Sequence, residues 1–285
     1  MKKGFKLGLH LDRLEVCYIA SSEIVDGLEN TKFWVRDGYR LRLLENECDN
    51  VESVLKVEVV DPESETGYKD YARIRVGNRF EKDTDSFRYC WLRLENSVLY
   101  QPPHELSYIY WIEEDMGLEF NNFSDIELAM DSNQNFFKRV KSAVRDKELT
   151  PIVLGKAYPE TGEIIPSLKY LHTGDRVRYR TDTLIVKSQD NTLALELYDK
   201  GREIEESGKD YIRESFGGSS GLFRAEVKLR NRALQDFCRR YGTTQEDIYR
   251  RITDKRILFE LWLFYSDKLL RFVDGSRRKV SLLQL

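Results

Sequence analysis

Residues 192–207, "TLALELYDKGREIEES", change character at their midpoint. The first half alternates, so a β-strand here would place three leucines on one face: Leu193, Leu195 and Leu197. The other face then carries Glu196 and Tyr198, which points away from the leucines. Lys200 follows at once and leads into a charged segment, 201–214, whose composition favours a helix. The stretch therefore predicts a half-buried strand that ends in a tyrosine and a lysine.

Two further segments of the second half share this alternation, "DIELAMD" (125–131) and "RAEVKLR" (224–230). Their apolar residues fall on one face of each strand: Ile126, Leu128, Met130, Ala225, Val227 and Leu229. Their opposite faces carry charged residues: Asp125, Glu127, Asp131, Arg224, Glu226, Lys228 and Arg230. If the three strands are neighbours in one antiparallel sheet, a single polar face gathers carboxylates, basic groups and the tyrosine.

This set of side chains is suited to phosphodiester chemistry. Carboxylates two residues apart on a strand, joined by an acid from a neighbouring strand, form a hard oxygen site for Mg²⁺ or Mn²⁺. A phenol with a pKa of about 10 is a weak nucleophile at neutral pH, so Tyr198 needs a nearby cation, and Lys200 could supply one. The same pattern is also typical of ordinary half-exposed antiparallel sheets. The residues alone leave both interpretations open.

Composition indicates a globular protein. The 285 residues include 41% hydrophobic and 12% aromatic side chains, enough for one large domain or two modest ones. No apolar run approaches the roughly twenty residues that span a bilayer, and charges interrupt the N-terminal region too early for a secretory signal. We therefore expect a cytoplasmic protein with no membrane partner. Its four cysteines lack metal-binding or disulfide spacing and are expected to be packed thiols: Cys17, Cys48, Cys90 and Cys238.

The charge is distributed unevenly along the chain. The formal net charge is −3, yet residues 1–120 hold 16 Lys and Arg against 24 Asp and Glu, whereas residues 121–285 hold 30 against 25. The basic excess is clustered in "DRVRYR" (175–180), "FRAEVKLRNR" (223–232), "RRITDKR" (250–256) and "GSRRKV" (275–280). Clusters of this kind suit a surface that follows phosphates, although any single one is more typical of a solvated face.

The pattern divides the chain into three regions. Residues 1–120 predict a β-rich half, with an Asp-Gly hairpin in "FWVRDGYRLRLL" (33–44) and a loop at 61–70. Residues 121–235 hold the three alternating segments and a helix in "SNQNFFKRVKSAVRD" (132–146), for which Ser132 or Asn133 is the expected cap. Residues 236–285 predict a helical C-terminal region that includes a Thr-capped helix at "TTQED".

Several motifs together resemble the replication-initiation endonucleases of rolling-circle elements, of the type of the filamentous-phage gene II protein and plasmid replication initiation factors. The likeness is tight over about 190–235, in "TLALELYDKGREIEE" and "GLFRAEVKLRNRAL", and loose elsewhere, in "WLRLENSVLY" (91–100) and "ILFELWLFYSDKLLRFVDG" (257–275). That family has a Tyr-x-Lys motif after a strand, a later Arg-x-Glu strand and an upstream acidic strand. The His-hydrophobic-His pair of the wider HUH nickase superfamily is missing here, and the three histidines, His10, His104 and His172, lie far apart in sequence.

The resemblance implies an α+β fold in which an antiparallel sheet forms the nickase platform, with flanking helices and a helical C-terminal region. It implies that Tyr198 attacks one strand of DNA at a replication origin, forms a 5′-phosphotyrosine adduct and frees a 3′ hydroxyl for rolling-circle replication. Lys200 would assist the tyrosine. The expected ligands of Mg²⁺ or Mn²⁺ are four carboxylates: Glu127, Glu226, Asp125 and Asp131.

DNA contacts are expected from basic residues of two clusters: Arg176, Arg178, Arg180, Arg224, Lys228, Arg230 and Arg232. The implied partners are origin DNA, single-stranded or as a hairpin, a host helicase and polymerase, and a second copy of the chain as a homodimer. Two alternatives stay open at this point. One is a mobilisation relaxase of a conjugative or transposable element, and the other is a non-catalytic origin-binding protein.

Overall fold

A computed structural model describes residues 6–44, 53–76, 87–145, 148–157, 168–173, 180–218 and 221–285. The strands are β1 (Leu7–Ser21), β2 (Phe33–Val35), β3 (Tyr39–Leu44), β4 (Ser53–Val60), β5 (Tyr68–Val76), β6 (Phe87–Leu94), β7 (Glu119–Ser132), β8 (Leu149–Val153), β9 (Lys156–Ala157), β10 (Leu168–Thr173), β11 (Arg180–Lys187), β12 (Leu193–Asp199), β13 (Phe223–Arg230), β14 (Leu270–Asp274) and β15 (Lys279–Val280). The helices are α1 (Ser22–Asn30), α2 (Asn96–Leu99), α3 (Pro103–Leu106), α4 (Tyr108–Asp115), α5 (Phe136–Arg145), α6 (Lys200–Ser207), α7 (Asp210–Ser215), α8 (Asn231–Tyr241), α9 (Gln245–Tyr249) and α10 (Lys255–Leu269). The predicted α+β class is confirmed.

The chain forms two compact units, each assembled from separate segments. The first unit comprises Met1–Asp12, Glu127–Thr243 and Asp254–Leu285, and the second comprises Arg13–Ile126 and Thr244–Thr253. Strands β1 and β7 each contribute residues to both units.

The first unit is built on a sheet with the strand order β10-β11-β12-β13-β7-β1, where β10 to β13 pair antiparallel. One face of β12 and β13 is buried, because alternate residues there are apolar: Leu193, Leu195, Leu197, Ala225, Val227 and Leu229. The long helix α10 covers this face, and the Trp262 indole Nε1 donates a hydrogen bond of 2.9 Å to the backbone oxygen of Ala225. A smaller sheet in the same unit has the order β15-β14-β8-β9. The opposite face of β12 and β13 is the polar one.

The second unit is built on strands in the order β7-β1-β6-β5-β4-β3-β2, in which β1 and each later strand pair antiparallel with the next. Its centre contains a hydrogen-bonded polar network. The Tyr18 and Tyr249 hydroxyls are 2.7 Å apart, and Tyr249 also donates to Glu113 Oε2 at 2.6 Å. Arg250 Nη2 reaches Glu113 Oε1 at 2.7 Å, so the buried carboxylate is compensated.

Several local predictions are confirmed. β2 and β3 form the Asp-Gly hairpin, with Gly38 at a φ of +77°. The loop at 61–70 is shorter than expected, since β5 already begins at Tyr68. Helix α9 is capped by Thr244, in a capping box in which the Thr244 and Asp247 side chains accept from each other's backbone N–H. Among the described cysteines, Cys17 and Cys90 are buried and Cys238 is partly buried, all as free thiols.

Two local predictions are wrong. The cap of α5 is Asn135, whose Oδ1 accepts from the Lys138 N–H at 2.9 Å, because β7 continues through Ser132 and the helix starts only at Phe136. The predicted C-terminal helix also stops early, at Leu269, because the next five residues pair with β8 as strand β14. Within the described ranges, no helix is long and apolar enough to span a membrane.

Candidate active site

The polar face of β12 and β13 is ordered by their pairing register. Tyr198 lies opposite Arg224, and Glu196 lies opposite Glu226. Residues directly opposite on an antiparallel pair have Cβ atoms about 5 Å apart, so this register places two carboxylates side by side. Such a pair is unfavourable unless a cation lies near it.

The tyrosine and the lysine of residues 192–207 lie at the junction of β12 with α6. Tyr198 is the last residue but one of β12, and the Asp199 side chain caps α6 by accepting from the Arg202 N–H at 3.1 Å. Lys200 is therefore the first residue of the helix, and it is buried. Its Nζ donates to Glu203 Oε2 at 2.5 Å and lies 5.7 Å from the centre of the Tyr198 ring. The strand-to-helix turn thus brings an ammonium group beside the phenol.

Three carboxylates from three strands converge on this face. Asp12 of β1, Glu127 of β7 and Glu226 of β13 each present an oxygen, and these oxygens lie within 4.8 Å of one another. Glu127 and Glu226 are buried, whereas Asp12 is partly exposed. We call these residues the carboxylate triad.

The triad fits a small hard cation. Oxygen ligands at about 2.1 Å from Mg²⁺ in octahedral geometry lie about 3 Å apart when adjacent and about 4.2 Å when opposite. The triad oxygens, which lie within 4.8 Å of one another, are close to this spacing, and they are all of the type that Mg²⁺ and Mn²⁺ prefer. Three clustered carboxylates repel one another, so a bound cation would also relieve that repulsion.

Tyr198 is hydrogen-bonded directly to the triad. Its hydroxyl donates to Glu226 Oε2 at 2.7 Å. Burial holds the pKa of the Tyr198 phenol well above its usual range, and although Arg224 opposes this effect, Glu226 adds to it. The phenol is therefore protonated at neutral pH and acts as a hydrogen-bond donor.

Lys228 compensates the two carboxylates that face each other across the strands. Its Nζ lies 3.1 Å from Glu196 Oε2 and 3.1 Å from Glu226 Oε1. Burial opposes its charge, but Glu226, Glu127 and Glu196 together raise the pKa of Lys228 above its usual range. Glu226 therefore accepts a hydrogen bond from Tyr198 on Oε2 and forms an ion pair with Lys228 through Oε1.

The two other predicted metal ligands are not part of the triad. Asp131 is fully buried and accepts two hydrogen bonds from Arg224, from Nε at 2.7 Å and from Nη2 at 2.8 Å. Asp125 belongs to the second unit, where it pairs with Arg13 at 3.0 Å.

The predicted DNA-binding residues lie in different environments. Arg230 and Arg232 are exposed at the junction of β13 and α8, whereas Lys228 is half-buried and Arg224 is fully buried. Arg176 and Arg178 lie outside the described residues. Arg180 begins β11 and His172 lies in β10.

Sequence reasoning missed Asp12 as a member of the site. Its only local signal is its place in the alternating stretch "LHLDRLEV" (9–16), which the sequence pattern assigns to a separate N-terminal half. His10 lies two residues earlier, on the same face of β1. Burial lowers the pKa of His10, Asp131 opposes this effect and Arg224 adds to it, which places this histidine within electrostatic reach of the same polar face.

No family model and no curated protein sequence matches the chain. Among solved structures, the chain is similar to a rolling circle replication initiator protein from Geobacillus stearothermophilus. The alignment has a TM-score of 0.51 and 12% sequence identity, and it covers 94% of this chain and 87% of the other. The chain has the fold of a rolling-circle initiator. The resemblance predicted from the motifs is thereby confirmed at the level of fold.

Proposed function

We propose that this chain is a replication initiator that nicks one strand of DNA at an origin, with Tyr198 as the nucleophile. One observation carries the proposal, namely the 2.7 Å hydrogen bond between the Tyr198 hydroxyl and Glu226, a member of the carboxylate triad. A phenol held against a cluster of hard oxygen ligands is an arrangement that suits metal-assisted attack on a phosphodiester. The fold shared with a rolling circle replication initiator protein supports the same reaction class.

The reaction is a transesterification. The Tyr198 oxygen forms a bond to phosphorus, the bond from phosphorus to the 3′ oxygen breaks, and the DNA remains joined to the protein through a 5′-phosphotyrosine. The phenol proton passes to Glu226 Oε2, which already accepts its hydrogen bond. The departing 3′ oxygen takes a proton from water, which leaves the free 3′ hydroxyl that a polymerase extends.

A divalent cation at the triad, Mg²⁺ or Mn²⁺, would supply positive charge to the phosphodiester and to the phenol as it loses its proton. Lys200 adds a second positive charge on the tyrosine side, 5.7 Å from the ring centre. Both charges favour the phenolate, whose formation burial otherwise opposes.

DNA binding is assigned to the exposed basic residues next to the site. Arg230 ends the strand that carries Glu226, and Arg232 is the second residue of the helix that follows. From there they would bind phosphates flanking the scissile bond. The proposed substrate is single-stranded or hairpin origin DNA, a host helicase and polymerase would act on the nicked product, and the proposed location is the cytoplasm.

The experiment uses the full chain with a library of DNA hairpins that have randomised single-stranded loops and a label at the 3′ end. Incubation with Mn²⁺ should give a labelled band that survives denaturing gel electrophoresis, because the 5′ phosphate of the labelled fragment becomes bonded to the protein. Tyr198→Phe should remove this band completely.

Tyr241→Phe is the matched control, since Tyr241 is an exposed tyrosine of the same unit that packs on Phe237. It should form the adduct as the unmodified chain does. Retention of the adduct by Tyr198→Phe would show that another residue is the nucleophile. If the unmodified chain forms no adduct with any member of the library, the nicking proposal is wrong.

A further inference from the structure

The Arg224 guanidinium lies directly behind the carboxylate triad. Its side chain is fully buried, with Nε and Nη2 bonded to the two oxygens of Asp131. Its remaining nitrogen, Nη1, donates to Asp12 Oδ1 at 2.7 Å and lies 3.9 Å from Glu226 Oε2. One guanidinium therefore connects a fully buried acid to two members of the triad.

We propose that Arg224 is a positioning residue that orients the Asp12 carboxylate for cation binding, with Asp131 as its anchor. This inference rests on the proposed function of the same site. Two parallel bonds to Asp131 fix the plane of the guanidinium, and because that group is rigid, the direction of Nη1 is fixed with it. The position of Asp12 Oδ1 is then set by a bond to a group that cannot rotate.

The burial pattern shows why Asp12 needs such a partner. Its side chain is 12% exposed, whereas that of Glu226 is 4% exposed. Asp12 also faces two carboxylates of like charge, and its hydrogen bond from Arg224 opposes the repulsion that would turn its side chain towards solvent. Groups that orient metal ligands commonly change metal affinity by 10- to 100-fold when they are altered.

This role differs from the phosphate contact expected for Arg224 from the sequence. The guanidinium has no exposed surface, and its ion pairs are with the carboxylates of Asp12 and Asp131. A phosphate contact would require it to leave both acids, and a separated buried ion pair is costly.

The test must separate orientation from charge, because removal of a positive charge beside the triad would by itself strengthen cation binding. Arg224→Lys keeps the charge but loses the planar fork that holds Asp131 and Asp12 together. Arg224→Met combined with Asp131→Leu removes one charge of each sign and replaces a buried ion pair with apolar side chains, a change that folded proteins often tolerate. Arg13→Lys is the matched control, since Arg13 neighbours Asp12 in sequence and pairs with Asp125, outside the triad.

The readout is Mn²⁺ binding to the full chain without DNA, measured from the electron paramagnetic resonance signal of free Mn²⁺. Thermal unfolding of each variant sets a temperature at which all are folded. Arg224→Lys and the double variant should each raise the Mn²⁺ dissociation constant by tenfold or more, and Arg13→Lys should change it by less than twofold.

A dissociation constant within twofold of the original in folded Arg224→Lys would overturn the proposal and leave Arg224 a purely structural ion pair. Should Arg224→Lys fail to fold, the double variant decides by the same criterion. An unmodified chain that binds no Mn²⁺ also overturns the inference. An unmodified chain that binds Mn²⁺ but cuts no DNA would overturn the nicking function alone.

Discussion

The sequence pattern identifies some residues of the candidate site and misses others. Alternation with a period of two places Tyr198 opposite the leucines and puts Glu127 and Glu226 on polar faces, and the structure brings these residues together. The same alternation carries no information on Asp12. This residue is more than a hundred positions away from Glu127 in sequence and lies near it only in the folded chain. Alternation also treats every outward acid alike, so it could not separate Glu226 from Asp131, whose partner is the buried Arg224.

At the scale of residues, we predict that Asp12→Asn weakens cation binding. The amide is nearly isosteric with the carboxylate but is uncharged, so the triad loses one of its three negative charges. The dissociation constant for Mn²⁺ should rise at least tenfold in isothermal titration, and adduct formation should require correspondingly more Mn²⁺.

Asp125→Asn provides the comparison, since sequence reasoning assigned Asp125 to the metal whereas its carboxylate pairs with Arg13. Its Mn²⁺ affinity should stay within twofold of the original. Equal losses in the two variants would contradict the assignment of Asp12 to the triad in place of Asp125.

At the scale of elements, strands were easier to predict than the ends of helices. The alternating segments 125–131, 192–198 and 224–230 lie in strands β7, β12 and β13, because their alternate apolar residues are buried. The end of α10 was missed because Leu270 and Phe272 continue the apolar pattern of the helix, and the chain changes to a strand there only through pairing with β8. Tertiary pairing of that kind has no local signal.

The hairpin of β2 and β3 gives a prediction at this scale. Gly38 has a φ of +77°, and a Cβ added there would lie 2.8 Å from the Trp111 ring. Gly38→Ala should therefore lose about 1–2 kcal/mol of the free energy of unfolding for the left-handed backbone and about 1–3 kcal/mol more for the overpacked ring. Urea denaturation measures the total.

Gly67→Ala separates the two contributions. Gly67 has a φ of +70°, and no described atom lies within 4 Å of an added Cβ. This variant should show only the backbone cost. If the two variants are equally destabilised, Trp111 does not pack against the turn as described.

At the scale of the whole molecule, the charge asymmetry predicts how DNA binding responds to salt. A net charge of −3 gives no general attraction to DNA, so binding should depend on a few basic side chains of the second half of the chain. Arg232→Ala should weaken binding of a single-stranded oligonucleotide several-fold and reduce the slope of log affinity against log salt by about 0.7. Fluorescence anisotropy between 50 and 200 mM salt measures both quantities.

Arg42→Ala is the corresponding control in the second unit, where the Arg42 side chain is 48% exposed and lies 3.7 Å from Glu58. Its salt slope should match that of the unmodified chain. A smaller slope for Arg42→Ala than for Arg232→Ala would place the phosphate-binding surface elsewhere.

The triad has a consequence for synthesis of the protein. Its acids come from positions 12, 127 and 226, so a nascent chain on the ribosome has no complete centre until the third strand has emerged. Helix α10, which covers the back of that strand, follows later still. A polypeptide that ends between residues 198 and 226 would thus carry Tyr198, the proposed nucleophile, together with Asp12 and Glu127, but would lack Glu226, which is both the third carboxylate and the hydrogen-bond partner of the tyrosine.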